Sequence, residues 1–462
     1  MDTLPVRDAI LQAWNRCWPQ LQAELARDLS PDSSGRVTEQ LLATLHQIAR
    51  AGFEAWLLRN DHPDATLEHD GRTLRFKCVQ AKEFVTPLGP VTVARRLFQA
   101  DRGGPCLAPL DAAWGMAGRS ATPDVCKAAA YLLGLMPAEE AEQTLARLTR
   151  FRLGETSLKK LAGQFGEWVE THPGAVADVR AAEAIPEGTR VVCASLDGTN
   201  VRLSEPGPKP GRPPSGDDGG PEPTCFKNAM VGTVSCYGDA TAATPERLQT
   251  KSVARMPEDG SPTFRTDFEA EVASTLARCG PGVTKVLVID AAHHLWRYVE
   301  SQPLFAGFEK VVDYYHAAEH LGAAAEALFG KGTGEAKAWA ARHRGTLLES
   351  DDGAERVVRA IDAAAKARRL PAWARKAVAT QRQFFTNHGR RMTYASFRAR
   401  GLPIGSGPVE AAGKVLVKQR MVRSGMRWSR RGGQHILHLR TLIKSGRWDA
   451  VWTRYCETAL AA

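Results

Sequence analysis

Apolar residues recur at helical spacing through the first 50 or so residues. Leu11, Trp14, Trp18 and Leu21 repeat with that period, as do Leu41, Leu42, Leu45 and Ile48, which predicts two amphipathic helices. The pattern then turns strand-like. Asp70-Gly71 lies between Thr66-Leu67-Glu68 and Thr73-Leu74-Arg75-Phe76, a two-residue hairpin signal. Residues 85–97 read as a second hairpin turning at Pro87-Leu88-Gly89-Pro90. Helices resume at Thr122-Pro123-Asp124, a cap followed by proline in the first turn. Residues 137–151 and 157–169 predict two helices joined by Arg152-Leu153-Gly154-Glu155. That pair is compatible with helix-turn-helix, with Lys159 and Lys160 opening the second helix where such motifs touch bases or phosphates. Any helical hairpin gives the same pattern.

From Arg190 the period changes. Strands are predicted at 191–203, 228–237 and 248–256. A helix follows from the capping box Thr266-x-x-Glu269, with Phe268, Val272, Leu276 and Cys279 as its apolar face. A strand at 284–290, a short helix and a strand at 310–313 come next. Three strands followed by alternation predict a mixed α/β, ribonuclease-H-like core: a mixed sheet flanked by helices, its fourth strand beside its first. Between the first two strands, 205–223 is dominated by Pro and Gly and predicts a mobile surface loop. Residues 316–400 read as helices only, an all-α insertion before the closing helix. Five segments result. An N-terminal helical and β-hairpin region (1–115) would serve DNA binding or oligomerisation, and 116–186 is helical. The first part of the core is 187–315 and the insertion is 316–400. The closing helix and a basic C-terminal segment fill 401–462.

At 462 residues the chain exceeds one ordinary domain. It has no apolar run long enough to span a bilayer and no basic start followed by an apolar stretch, so a cytoplasmic protein is expected, with no membrane partner. The nine cysteines are scattered without a Cys-x-x-Cys pair, which suits reduced thiols. Charge is uneven. Of 61 Lys and Arg against 51 Asp and Glu, ten basic residues and no acid fall between Lys414 and Arg447, so the whole net charge of +10 sits there. A run of this kind follows phosphates, although a solvated helical face has the same composition. Lys414, Lys418, Arg420, Arg423, Arg427, Arg430 and Arg431 are the candidate DNA contacts, with Trp428 placed to stack on a base or sugar. Trp296, Trp339 and Trp373 are either wedges at a cleavage point or core residues.

Three acidic residues stand at informative places. Asp197 follows the apolar run Val191–Leu196, Asp290 ends Lys285-Val286-Leu287-Val288-Ile289-Asp290, and Glu410 follows Gly405-Ser406-Gly407-Pro408-Val409 where a helix begins. Singly, each has a structural reading: a turn, a helix cap, a carboxylate near a helix N-terminus. Together, two strand-end carboxylates and one helix carboxylate supply hard oxygen ligands for two Mg²⁺ ions, with Mn²⁺ able to replace them. His293 and His294 lie just past Asp290.

These residues carry a family resemblance. The chain resembles Kra-type insertion-sequence DDE transposases, a bacterial group akin to the Mutator-like transposases. The resembling segments are Leu196-Asp197-Gly198-Thr199, Val288-Ile289-Asp290, Asp313-Tyr314-Tyr315-His316 with Glu319-His320-Leu321, Gly405 to Glu410, and Arg420 to Trp428. Thr86 to Val93 and Pro109-Leu110-Asp111 also match, so the likeness runs from about residue 53 to 455. It implies that Asp197, Asp290 and Glu410 are the catalytic and metal-binding acids, with Asp313, His316 and His293 supporting them. It implies a DNA transposase that binds terminal inverted repeats, cuts by Mg²⁺-dependent hydrolysis and joins 3′ hydroxyls to target DNA. It also implies a homodimer or larger assembly on double-stranded DNA. Relatives often carry an N-terminal Cys-x-x-Cys pair; its absence here removes the basis for zinc-aided end recognition. Two alternatives remain: a domesticated transposase that binds DNA without catalysis, and a zinc peptidase built on His316-Ala317-Ala318-Glu319-His320.

Overall fold

Small residues decide how the N-terminal helices meet. In this computed structural model, which describes residues 5–101, 103–204, 226–239 and 245–459, α1 (Val6–Leu25) and α2 (Pro31–Arg59) form an antiparallel hairpin. Ser30 starts α2 through a reciprocal capping box with Ser33. The contact stripe is Ala9, Ala13, Cys17 and Leu21 on α1, against Thr44, Gly52 and Ala55 on α2. A Cβ on Gly52 would stand 2.9 Å from Ile10. Of the stripe the sequence marked on α1, Leu21 is in this seam at 2% exposure, while Leu11, Trp14 and Trp18 are 45%, 37% and 39% exposed. Small side chains allow the closer helix approach, so they take the seam and the large residues turn outward. The Pro- and Gly-rich segment 205–223 lies outside the described residues.

The chain divides into two units, Met1–Trp168 with Asp449–Ala462, and Val169–Trp448. In the first, β1 (Thr66–His69), β2 (Arg72–Thr86), β3 (Gly89–Gln99) and β4 (Cys106–Leu107) form an antiparallel sheet in that order. The predicted Asp70-Gly71 turn forms, with φ of 49° and 71°, the positive pair that this two-residue hairpin demands. The second hairpin is longer than expected because β2 runs unbroken to Thr86. Phe84, Val91 and Val93 pack on Leu57 of α2 and on Leu110 of α3 (Pro109–Ala113). Asp111 is 5% exposed and pairs with Arg95 at 2.8 Å and Lys82 at 3.0 Å, tying α3 to both strands. Asp111→Ala strands two cations at a buried site and is expected to cost about 2–3 kcal/mol, read from the chemical denaturation midpoint. α4 (Pro123–Leu135), α5 (Ala138–Leu148), α6 (Glu155–Thr171) and α7 (Pro173–Ala181) follow. Phe165 and Trp168 of α6 pack on Trp452 and Tyr455, which is why the last residues belong to the first unit rather than to the closing segment.

The second unit holds β5 (Val191–Arg202), β6 (Phe226–Tyr237), β7 (Arg247–Arg255), α8 (Pro262–Arg278), β8 (Thr284–Ile289), α9 (His293–Ser301) and β9 (Glu309–Val312). Its sheet has the order β7-β6-β5-β8-β9. The first three strands are antiparallel and β5, β8 and β9 run parallel, so this is a mixed sheet with the fourth strand beside the first. α8 begins at Pro262, not at the Thr266 capping box: proline at the first position sets the start, and Thr266 donates its hydroxyl back to the Pro262 carbonyl inside the helix. After β9 the chain is helical through α10 (Tyr314–Phe329), α11 (Gly334–Glu349), α12 (Gly353–Lys366), α13 (Ala372–His388) and α14 (Tyr394–Ala399). α15 (Gly407–Ala412) then passes into a π-helical turn, Gly413–Lys418, and α16 (Gln419–Met421). α17 (Arg430–Lys444) and α18 (Trp448–Ala459) close the chain. No helix among the described residues is long and apolar enough to cross a membrane.

Candidate active site

Strand register brings the acids together. β5 and β8 pair in parallel as far as Ala194 and Leu287; three residues further along each chain stand Asp197 and Asp290. β8 and β9 pair as far as Ile289 and Val312; the next residues are Asp290 and Asp313. The three aspartates therefore occupy one level past the paired ends of adjacent strands. In open sheets that level is the crevice where ligands sit. Asp197 lies inside its strand, as the predicted 191–203 run implies, and is not the strand-end carboxylate that the apolar run before it suggested. β5 continues to Arg202, held by antiparallel pairing with β6, and only its β8 side opens.

Glu410 arrives from α15 over the same edge. At Gly413 a Cβ would stand 2.6 Å from the Thr199 hydroxyl oxygen, so only glycine lets this helix settle on β5 two residues beyond Asp197. The π-helical turn at this contact leaves carbonyls without their usual partners. Arg440 of α17, 3% exposed, donates to the carbonyls of Leu416 (2.7 Å) and Val415. Burial first, and then Arg423, pull its pKa down to about 10.

Each acid is engaged through one oxygen. Asp197 accepts from its neighbour Gly198 N (2.6 Å), Asp290 from Ala292 N (2.9 Å), and Glu410 from Ser406 Oγ (2.8 Å). The Asp197 pKa is raised, first by burial and then by the charges of Asp290 and Glu410; the Gly198 N–H and Lys418 pull the other way. The influence of both charges on Asp197 agrees with the level that the strand register sets. Among the described residues no three His, Cys, Asp or Glu side chains stand as a ready-made ligand group. Carboxylate oxygens are the donors that a hard cation takes.

The supporting residues divide. Asp313 is 3% exposed and caps α10, accepting from Tyr315 N and His316 N at 3.3 and 3.1 Å. It also accepts from Ser406 N at 3.0 Å, which pins the loop carrying Glu410 to the end of β9. Burial first, with Glu410 adding, raises its pKa against those three donors. His316 turns toward His320 (Nε2 to Nε2, 3.2 Å) and the edge of Phe384 on α13. His293 is exposed and lies 3.5 Å from Arg297 on its own helix. In the zinc-peptidase alternative, His316 and His320 have their rings on one face, while Glu319 is 80% exposed.

The basic segment splits as well. Arg420, expected at the surface, is 3% exposed and lies over the Trp428 ring at 5.2 Å; its guanidinium is packing material, not a phosphate contact. Trp428 is half-buried, donates Nε1–H to the Met421 carbonyl (2.9 Å) and pairs its backbone with Arg202 and Ser204, so it clamps the segment to the end of β5. Arg430 is half-buried and donates to the Pro257 carbonyl. Lys414, Lys418, Arg423, Arg427 and Arg431 are exposed. Lys159 and Lys160 are exposed on α6, with Lys159 paired to Glu155 at 2.5 Å. Trp296 is a core residue, 3% exposed, with its Nε1–H on the Asp290 carbonyl at 2.7 Å. Ser406, which donates to Glu410, and Gly413, which lies against Thr199, were missed as site residues; Lys418, singled out as a DNA contact, also bears on the charge of Asp197. Only Ser406 had a readable signal, four residues before Glu410.

No family model and no curated protein matches this chain. Among solved structures, a similar chain belongs to a "Drosophila P element transposase strand transfer complex". It is 11% identical, the match covers 74% of this chain and 81% of that one, and the TM-score is 0.25, a level at which the likeness carries no argument.

Proposed function

We propose that this chain is a metal-dependent DNA transposase of the insertion-sequence DDE type, built on a ribonuclease-H-like core. The observation that carries the proposal is the common level of Asp197 and Asp290 on adjacent parallel strands, with the helix of Glu410 seated on β5 through Gly413 and Thr199. The strand order supports the core assignment, and the helices from α10 to α14 are then its insertion. Asp197, Asp290 and Glu410 would hold Mg²⁺ or Mn²⁺ as hard oxygen ligands. When bound, such ions lower the pKa of an attacking water or 3′ hydroxyl and stabilise the leaving oxygen.

The chain's own residues supply the rest. Asp313 holds the Glu410 loop against β9 by its hydrogen bond to Ser406 N. Arg440 holds the π-helical turn that follows Glu410. Lys418 offsets the carboxylate charge beside Asp197. Lys414, Arg423, Arg427 and Arg431 present cations to phosphates of the element's inverted repeats and of target DNA. Arg423→Gln with Arg427→Gln is expected to weaken binding on all DNA sequences. It should also flatten the salt dependence by about 0.9 in log–log slope for each phosphate no longer neutralised. Arg420→Gln should instead lower stability and leave that slope alone.

The deciding experiment incubates the purified chain with plasmid carrying the DNA that flanks its gene, with Mg²⁺, Mn²⁺ or EDTA, and maps nicks and joined ends. Cleavage at repeat ends that EDTA stops is the expected result. DNA binding without metal-dependent cleavage would leave only a DNA-binding protein.

A further inference from the structure

The apolar stripe that turned outward from the N-terminal hairpin has no partner within its own helices. On α1, Leu11, Trp14, Trp18 and Leu25 are 45%, 37%, 39% and 49% exposed, with Trp14 and Trp18 stacked at 5.2 Å. On α2, Leu41, Leu42 and Leu45 are 39%, 44% and 58% exposed. At about 100° per residue each set falls within one arc of its helix, displaced the same way from the buried seam. Cys17 meets Gln47 and Glu24 meets Arg36, so the helices run antiparallel. Equal displacements on antiparallel helices put both stripes on the same side of the hairpin.

We infer that this face is the interface between two copies of this chain, packed hairpin on hairpin as a two-fold four-helix bundle. No Asp, Glu, Lys or Arg falls within either arc between Leu11 and Leu25 or between Leu41 and Trp56, so the face offers nothing to a phosphate polymer or a charged peptide. Trp56, 49% exposed, extends it along α2. Side chains of this size at a third to a half of their full exposure approach the roughly 800 Å² that each partner gives to a stable interface. A contiguous apolar patch of that extent is an association surface. An identical hairpin answers it because a two-fold contact asks only that one face be complementary to itself. The inference rests on the helices alone and stands whether or not the chain cuts DNA.

Light scattering on the purified full chain at micromolar concentration, without DNA or metal, tests it. The expected mass is twice that of one chain. Leu45→Glu should run as a single chain with its helical circular dichroism retained, and mixing it with Leu45→Lys should restore the doubled mass. A single-chain mass for the natural sequence, or a doubled mass indifferent to Leu45→Glu, overturns the inference. Should Leu45→Glu lose helical signal, Trp18→Gln gives the reading: a dissociation constant at least tenfold weaker supports the interface, and an unchanged one refutes it.

Discussion

Asp197→Asn is expected to lower DNA strand cleavage by on the order of 10³-fold while leaving the fold intact, and Asp290→Asn and Glu410→Gln should do the same. The reasoning combines placement with charge. Asp197 is half-buried, and its pKa is raised by burial and by two neighbouring carboxylates. A carboxyl whose folded pKa lies above its unfolded one costs stability when ionised. That cost is absent below its ordinary pKa and complete once pH exceeds the raised value. Asp197→Asn removes the cost, so at neutral pH the variant should melt no lower than the natural chain even as cleavage disappears. A merely structural aspartate would show the reverse. Mg²⁺ or Mn²⁺ should raise the melting temperature of the natural chain and leave that of Asp197→Asn nearly unchanged. The metal-induced rise should shrink as pH falls through the Asp197 pKa, because protons compete for the same oxygens. Full cleavage by Asp197→Asn would end the proposal.

Arg447→Met is expected to cost about 3–5 kcal/mol of stability, measured by chemical denaturation. Arg447 is 4% exposed and donates to both oxygens of Glu271 (2.7 Å each) and to both of Glu183 (2.6 and 3.0 Å). Glu271 is 1% exposed on α8, so removing its cation leaves a charge in the core with Arg180, at 3.4 Å, as its remaining cation among the described residues. Arg447→Met with Glu271→Gln should therefore cost less than Arg447→Met alone, a non-additivity that exposed pairs do not show. pH reports the same network. Burial alone would raise the Glu183 pKa; hydrogen bonds from Arg447 and Lys251 outweigh it and hold it below its ordinary 4.5. A depressed carboxyl contributes stability above its unfolded pKa and loses that contribution as pH falls through its folded one. The natural chain should lose stability on acidification below about pH 4.5, and Arg447→Met should lose less. Equal losses in both proteins would place the titration elsewhere.

Arg447 also shows why the basic segment was only partly legible. Ten cations without an acid between them look alike along a chain. Their roles depend on partners far away in sequence: Glu183 and Glu271 for Arg447, the carbonyls of Val415 and Leu416 for Arg440, the Trp428 ring for Arg420. Those three are buried and Arg430 is half-buried on the Pro257 carbonyl, whereas Lys414, Lys418, Arg423, Arg427, Arg431 and Lys444 stay exposed. The N-terminal helices repeat the lesson. Period-3.6 spacing located both, yet the stripe of Leu11, Trp14 and Trp18 was not the seam, because which face packs depends on what the neighbouring helix offers.

Local chemistry was legible at several places where a residue acts through its own neighbours, though not at Thr266, whose capping-box spacing fell inside a helix begun by Pro262. Asp70-Gly71 made its turn because both positions must take positive φ. The apolar runs before Asp197 and Asp290 became buried strands because each has the length and side chains of one. What needed the folded chain was distance: that Ala194 pairs with Leu287, which levels Asp197 with Asp290, and that a missing Cβ at Gly413 lets Glu410 approach β5. Periodicity encodes which face a residue takes on its own element. Register between elements is set by packing summed over the whole sheet, and no short stretch of the chain contains it.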